Sequence, residues 1–345
     1  MSIPVRLRSL WGRSNWPALV LSLLAMVACQ PQRPPADAVL APSVGHYQGS
    51  FGPAGGPQLR AALDIRHPRP GHYDAELTVP GAPTLSFVAD TLLLAGNQLR
   101  LVRPARPGQQ LTLTLDGDFW RGTLTVDSTT VPLILLQRGV PDPSSYHVAA
   151  VPQAGGAAWL FAPADTDTPG AALALLPDAN TAPAAALWAD ALARAGIIVL
   201  LLPPPADSAT TATEIPRLQA ALRQLRATPG ADTASLGAWA CGRRAQALAA
   251  GPRLAFFIAQ NAVVDAATRL ALRELRNRKV RVLGLYGGPD ALRQAALLRA
   301  AVGSRRGTLM RGYRTTGASL LTGQGLSAQF GPGLPGEVVE WVNGR

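Results

Sequence analysis

The periodicity of the apolar residues changes near Gly139, and that change bounds what the chain can fold into. Before it, apolar and polar residues alternate over short segments: Leu111, Leu113 and Leu115 are interleaved with Gln110, Thr112 and Thr114, the period of two that a half-buried strand needs. The segments are separated by turn chemistry such as "AGNQ" (residues 95–98) and "DGDF" (residues 116–119). Residues 44–139 therefore read as an antiparallel meander of about seven or eight strands, closed or nearly closed into a barrel-like domain. After Gly139 come short, wholly apolar runs, "AAWLFAP", "AALALLP" and "GIIVLLL", alternating with stretches of helical periodicity such as "EIPRLQAALRQLRA". Wholly apolar strands are buried on both faces, so residues 140–345 read as a doubly wound α/β domain with a parallel sheet. A chain of 345 residues can bury two such cores, and its 34 Gly and 31 Pro suit the many turns.

The N-terminus has a separate logic. Arg6, Arg8 and Arg13 precede "WPALVLSLLAMVA" (residues 16–28), an apolar run ending in small residues just before Cys29. A charged head, a short apolar core and a small residue at the cut site are what an export signal requires, and the run is short for a span. "MVAC" resembles the lipobox of bacterial lipoproteins, which implies diacylation of Cys29 and removal of residues 1–28. Gln30 beside Cys29 implies, by the same resemblance, anchorage in a Gram-negative outer membrane. Residues 29–43, rich in Pro and Ala, read as a tether. With Cys29 lipidated, Cys241 has no partner for a disulfide.

Taken together, "GHYQGSF", "GHYDAEL" and "LTLTLDGDFWRGTL", followed by alternating apolar runs and helices, resemble exported bacterial α/β-hydrolases of the dienelactone-hydrolase or peptidase-esterase type. In these a lipocalin-like β-domain precedes the catalytic one. The resemblance implies serine-hydrolase chemistry, which needs a nucleophile on a strand-helix elbow, a histidine, an acid and an oxyanion site. The family's elbow, roughly Ile-Gly-Leu-Trp-Gly-His-Ser-x-Gly-Gly, falls on "LGAWACGRRA", and puts Gly242 where the serine belongs and Arg243 and Arg244 after it. The histidine position falls on Thr315 in "RGYRT", and none of the four histidines (His46, His67, His72, His147) lies beyond residue 147. Asp290 in "GGPDAL" matches the acid, and reads equally as a helix cap. The oxyanion region falls on Pro177, which has no N–H, and Asp178, whose charge opposes an oxyanion; Arg243 stands where the elbow's own donor would sit. Three prolines, Pro203 to Pro205, replace a further polar turn, and the short link between "AFFIAQ" and "VRVLGLY" leaves no room for a sizeable cap.

The expectation is a non-catalytic, hydrolase-like envelope lipoprotein with a binding or structural role. Two alternatives stand beside it: a divergent hydrolase using Cys241 or a serine such as Ser208, Ser235 or Ser319, and a carrier holding a small apolar ligand in the β-domain. No cofactor fingerprint or metal-ligand spacing is present, since His67 and His72 lack a third ligand. Net charge is +11, and residues 269–314 hold twelve Lys/Arg against Glu274 and Asp290. That cluster fits either solvated helices or a surface meeting anionic lipid headgroups. Nucleic acid is not an expected partner; the membrane, through Cys29, is, and the chain is expected to be a monomer.

Overall fold

The computed structural model describes residues 42–344, apart from 54, 90, 154–155 and 206–209. The signal segment, Cys29 and most of the tether lie outside the described residues, as does Ser208.

The first part of the described chain forms nine antiparallel strands: β1 (Gly45–Phe51), β2 (Leu59–Arg69), β3 (His72–Thr78), β4 (Phe87–Val88), β5 (Thr91–Ala95), β6 (Gln98–Val102), β7 (Gln109–Asp116), β8 (Phe119–Val126) and β9 (Thr129–Gly139). Their order is β4-β3-β2-β1-β9-β8-β7-β6-β5. The sheet is curled into a half-barrel, as the barrel-like expectation has it, with β4 and β5 as its two ends rather than a hydrogen-bonded seam. β4 is only two residues long, too short to complete a ring. The curl is tightest where strands press together: a Cβ on Gly122 of β8 would strike the backbone of Thr112 on β7. Alternation works as the sequence suggests, with Leu111 and Leu113 of β7 buried while their neighbours are half-exposed. Tyr47, Phe51, Leu63, Leu77, Trp120 and Leu133 fill the concave side with a packed side-chain core.

The rest of the chain is the α/β domain. Its sheet holds β10 (Tyr146–Gln153), β11 (Gly156–Pro163), β12 (Gly170–Leu176), β13 (Ile198–Leu201), β14 (Ala231–Cys241), β15 (Phe256–Gln260), β16 (Arg281–Gly287) and β17 (Thr308–Tyr313). Their order is β10-β11-β13-β12-β14-β15-β16-β17. β10 and β11 run antiparallel, β11 joins β13 antiparallel, and the remaining pairs are parallel. This is the arrangement of an α/β-hydrolase-like fold. Six helices connect or follow the strands: α1 (Ala182–Arg194), α2 (Thr211–Arg226), α3 (Gly242–Ala249), α4 (Ala266–Asn277), α5 (Ala291–Val302) and α6 (Gly336–Val342).

Period two sends alternate strand residues to opposite layers. Ala172, Ala174 and Leu176 of β12 and Leu236, Ala238 and Ala240 of β14 pack with Leu218, Leu248, Leu272 and Leu298 from α2, α3, α4 and α5. Leu173, Leu175 and Trp239 face the other way, onto Trp188 and Leu192 of α1 and Val338 and Trp341 of α6. Both faces are covered, so each fully buried leucine contributes about 1.5–3 kcal/mol.

The two sheets are fastened by a buried polar cluster. Arg103, at the end of the β6 hairpin arm, donates from Nη2 to both carboxylate oxygens of Asp190 on α1, at 3.0 and 2.9 Å. Its Nη1 donates to Gln109 Oε1 at 2.7 Å, and its guanidinium lies 4.9 Å from the Phe87 ring centre. Tyr146 of β10 also donates to Asp190, and its hydroxyl accepts the Val88 N–H at 2.9 Å.

Candidate functional site

In open α/β sheets the natural crevice lies at the carboxyl ends of the strands where the connections change side. Here that place lies between β12 and β14, because the chain leaves β12 toward β13 and leaves β14 toward β15. β14 ends at Cys241 and α3 begins at Gly242 with no intervening loop, so the turn is an elbow. Gly242 sits at its apex with φ of +54°. That region favours glycine, so the sharp turn is relaxed here. The register read from the resemblance therefore places its serine position at the apex.

Asp178 occupies the space above the apex. A Cβ on Gly242 would run into Asp178 Oδ2. The carboxylate is fixed from its other side: Oδ1 accepts from Thr181 N and Thr181 Oγ1, both at 2.9 Å, while Asp178 N donates to Thr181 Oγ1 at 3.0 Å. Thr181 is buried at the start of α1, so the ring of bonds is part of how that helix begins. Sequence reasoning flagged Asp178 as a charge hostile to an oxyanion; its seat against the apex glycine is a finding of the fold.

Cys241 points away from solvent. It is 1% exposed, and its Sγ donates to Gln260 Oε1 at 3.4 Å. Burial pushes the thiol up to about 12; the Asp178 charge acts in the same direction, and a bond from Thr181 only partly opposes it. A thiol protonated far above neutrality and closed off from water is inert as a nucleophile. Gln260 Oε1 also accepts from Trp239 Nε1 at 2.8 Å, and Gln260 Nε2 donates to Ala318 O at 2.7 Å. Asn261 Nδ2 donates to the same carbonyl at 2.6 Å. The loop after β17, where the resemblance puts the histidine, is thus tied to β15 by two side-chain amides. Trp188 reinforces it, donating to Ser319 O at 3.1 Å and packing between Trp239 and Phe330.

The remaining expected positions do not converge. Thr315 is exposed in the turn after β17. Asp290 precedes α5, but it is exposed, its backbone is not extended as a capping residue's is, and its side chain makes no capping bond. The cap reading is corrected: Asp265 before α4, extended and accepting from Thr268 N, is the acid that caps. Arg243 is exposed. Arg244, where the resemblance has a close-packing glycine, is buried beneath the crevice. Its Nε donates to Glu214 Oε2 at 2.6 Å and its Nη1 to Pro177 O at 2.6 Å and Pro203 O at 3.3 Å. Burial draws its pKa down and Glu214 counters this. Ser235 lies toward the opposite end of β14 and donates to Asp232 at 2.6 Å. His147 is exposed on β10, four strands from β14 and so about 19 Å away.

Two further features border this region or stand apart from it. A cavity of 630 Å³ lies one strand over, at the carboxyl ends of β12 and β13. Pro104 and Pro107 from the β-domain, Trp159 of β11, and Pro177, Pro183 and Pro203 of the α/β domain contribute to its wall, alongside alanines and leucines. In the β-domain, ligand atoms of His46, Asp64 and Asp142 lie within 4.8 Å of one another, a grouping the sequence did not suggest. They are bonded among themselves: His46 Nδ1 meets Asp64 Oδ1 at 2.7 Å, which also accepts the Asp142 N–H at 2.9 Å. His67 stacks on Tyr73 with ring centres 4.3 Å apart. No protein-family model matches the chain and no curated protein matches it, so the hydrolase-like assignment is carried by the strand order and the elbow.

Proposed function

We propose that this protein is a non-catalytic, α/β-hydrolase-like envelope lipoprotein whose second domain acts in binding or scaffolding. One observation carries the reading: the elbow apex is Gly242, and the volume a nucleophile's side chain would fill holds the Asp178 carboxylate. A negative charge fixed there also opposes the oxyanion of acyl transfer. Export, and anchorage to the outer membrane by a lipid on Cys29, are supported by the arginine-flanked apolar segment and "MVAC". The test is exposure of the purified protein to a fluorophosphonate, a thiol-reactive probe and p-nitrophenyl esters. The expected result is no covalent label on the folded α/β domain and no turnover. Modification of one residue there, with loss of ester turnover, would overturn the proposal.

A second reading, carriage of a small apolar ligand, is favoured by the proline-walled cavity. Its volume is in the range of small-molecule sites, and prolines give a wall that is preformed and lacks N–H donors. The β-domain interior is filled by its own side chains, so the ligand belongs beside β12 and β13. Saturable fluorescence of N-phenyl-1-naphthylamine, lost on Ala179→Trp at the cavity rim, is the expected result. Unaltered dye binding in that variant would exclude the cavity.

A further inference from the structure

α4 and α5 lie side by side on one face of the sheet, anchored inward by Leu272, Leu275 and Leu298. Their outward faces are unusual in composition. Arg269, Arg273 and Arg276 of α4 are all exposed and spaced four and three apart, which aligns them in one stripe. Like charges at these spacings destabilise a helix in water, so a merely solvated face gains nothing from the pattern. Glu274, the one acid of α4, is directed to Arg278 at 3.9 Å and Asn277 at 3.3 Å. Leu270 stands beside the arginine stripe, 68% exposed, and exposed Arg293 lies on α5.

The neighbouring loop adds to the same surface. Arg305 donates from Nη1 to Arg276 O at 3.0 Å and from Nη2 to Lys279 O at 3.1 Å, fastening the segment after α5 to the end of α4. That linkage holds Arg276, Lys279 and Arg305 together, with Arg299 in the last turn of α5.

We propose that the α4–α5 face is a docking surface for an anionic phospholipid bilayer. Cations meet the headgroup phosphates, and Leu270 enters the boundary between headgroups and acyl chains. Leu270 favours a bilayer over a polynucleotide, which has nowhere to receive it. Each cation near such a surface strengthens binding by about fivefold, so removing three weakens it by about 100-fold. The surface acts independently of any lipid on Cys29.

The test is co-sedimentation of the full chain with phosphatidylcholine vesicles and with vesicles also containing phosphatidylglycerol. The ratio between the two is read, because the apolar segment before Cys29 partitions into both. The expected result is a preference for the anionic vesicles that high salt abolishes and that Arg269→Ala/Arg273→Ala/Arg276→Ala reduces by about 100-fold. The matching Arg→Lys triple variant retains it and serves as the folding control. Leu270→Ser lowers sedimentation with both vesicle types alike and leaves the ratio between them unaltered. Equal binding to both vesicles, or a preference unchanged in the Arg→Ala triple variant, overturns the proposal. So does equal affinity for a DNA duplex that the leucine variant leaves unaltered, which would mark a general polyanion surface.

Discussion

Asp190→Asn keeps the shape of the side chain that joins the two domains and removes its charge. Arg103 is 0% exposed and Asp190 2%, so neither can turn to water. The carboxylate now accepts two guanidinium bonds and the Tyr146 hydroxyl; an amide offers one oxygen to three donors and presents an N–H group where another acceptor is needed. The guanidinium keeps Gln109 but loses its counter-charge. Breaking a buried pair from one side costs about 3–5 kcal/mol, whereas replacing both partners with apolar residues is often neutral. Urea unfolding, followed by tryptophan fluorescence and far-UV circular dichroism, is therefore expected to show that loss for Asp190→Asn. Arg103→Met should behave similarly, and Arg103→Met/Asp190→Leu should cost much less than the sum of the single changes. A loss below about 1 kcal/mol for Asp190→Asn, or additive single effects, would refute the view that the pair is electrostatically closed.

Other outcomes follow from the crevice. Gly242→Ser places a Cβ against Asp178 at a positive φ and should destabilise by about 1–3 kcal/mol, much of it recovered in Gly242→Ser/Asp178→Ala, with ester turnover absent in both; thermal melting and an esterase assay check this. Glu214→Gln leaves the buried Arg244 guanidinium without its counter-charge and should cost about 3–5 kcal/mol by urea unfolding, while Arg243→Ala should be neutral within about 0.5 kcal/mol. Because the Cys241 thiol is raised to about 12 in the fold, the unfolded chain loses that proton first as pH rises. Its contribution is whole below about pH 8.5 and fades toward pH 12, so stability should fall by about 2 kcal/mol more in wild type than in Cys241→Ala between pH 8 and 10.5. Tyr146 and Tyr286, also raised by burial, add loss of the same sign at higher pH.

The runs "AALALLP" and "GIIVLLL" were readable because strands buried on both faces admit little but apolar residues. β10 was not, because "YHVAAVPQ" lies at the sheet edge, partly exposed, with His147 and Pro152 interrupting any period. The barrel-like curl was legible in the alternation, but whether the two ends meet was not, because that depends on β4 and β5, which no local pattern encodes. At the crevice, Gly242 was legible as the residue at the elbow, since a motif position can be read one residue at a time. The contacts around the elbow join separate elements, Asp178 with Gly242, Gln260 with Ala318, Arg244 with Glu214, and pairs of that kind emerge only from the folded arrangement. Arg244 stands where the resemblance has a close-packing glycine; the fold accommodates it by supplying an acid and two carbonyls.

The contact between Asp178 and the elbow has a consequence for descent. A mutation introducing serine at Gly242 meets a carboxylate already seated there, while a mutation removing Asp178 frees Thr181 and unsettles the start of α1. Each first step is therefore penalised until the other has occurred. The two positions are coupled, and the cost of a substitution at either depends on which residue the other holds.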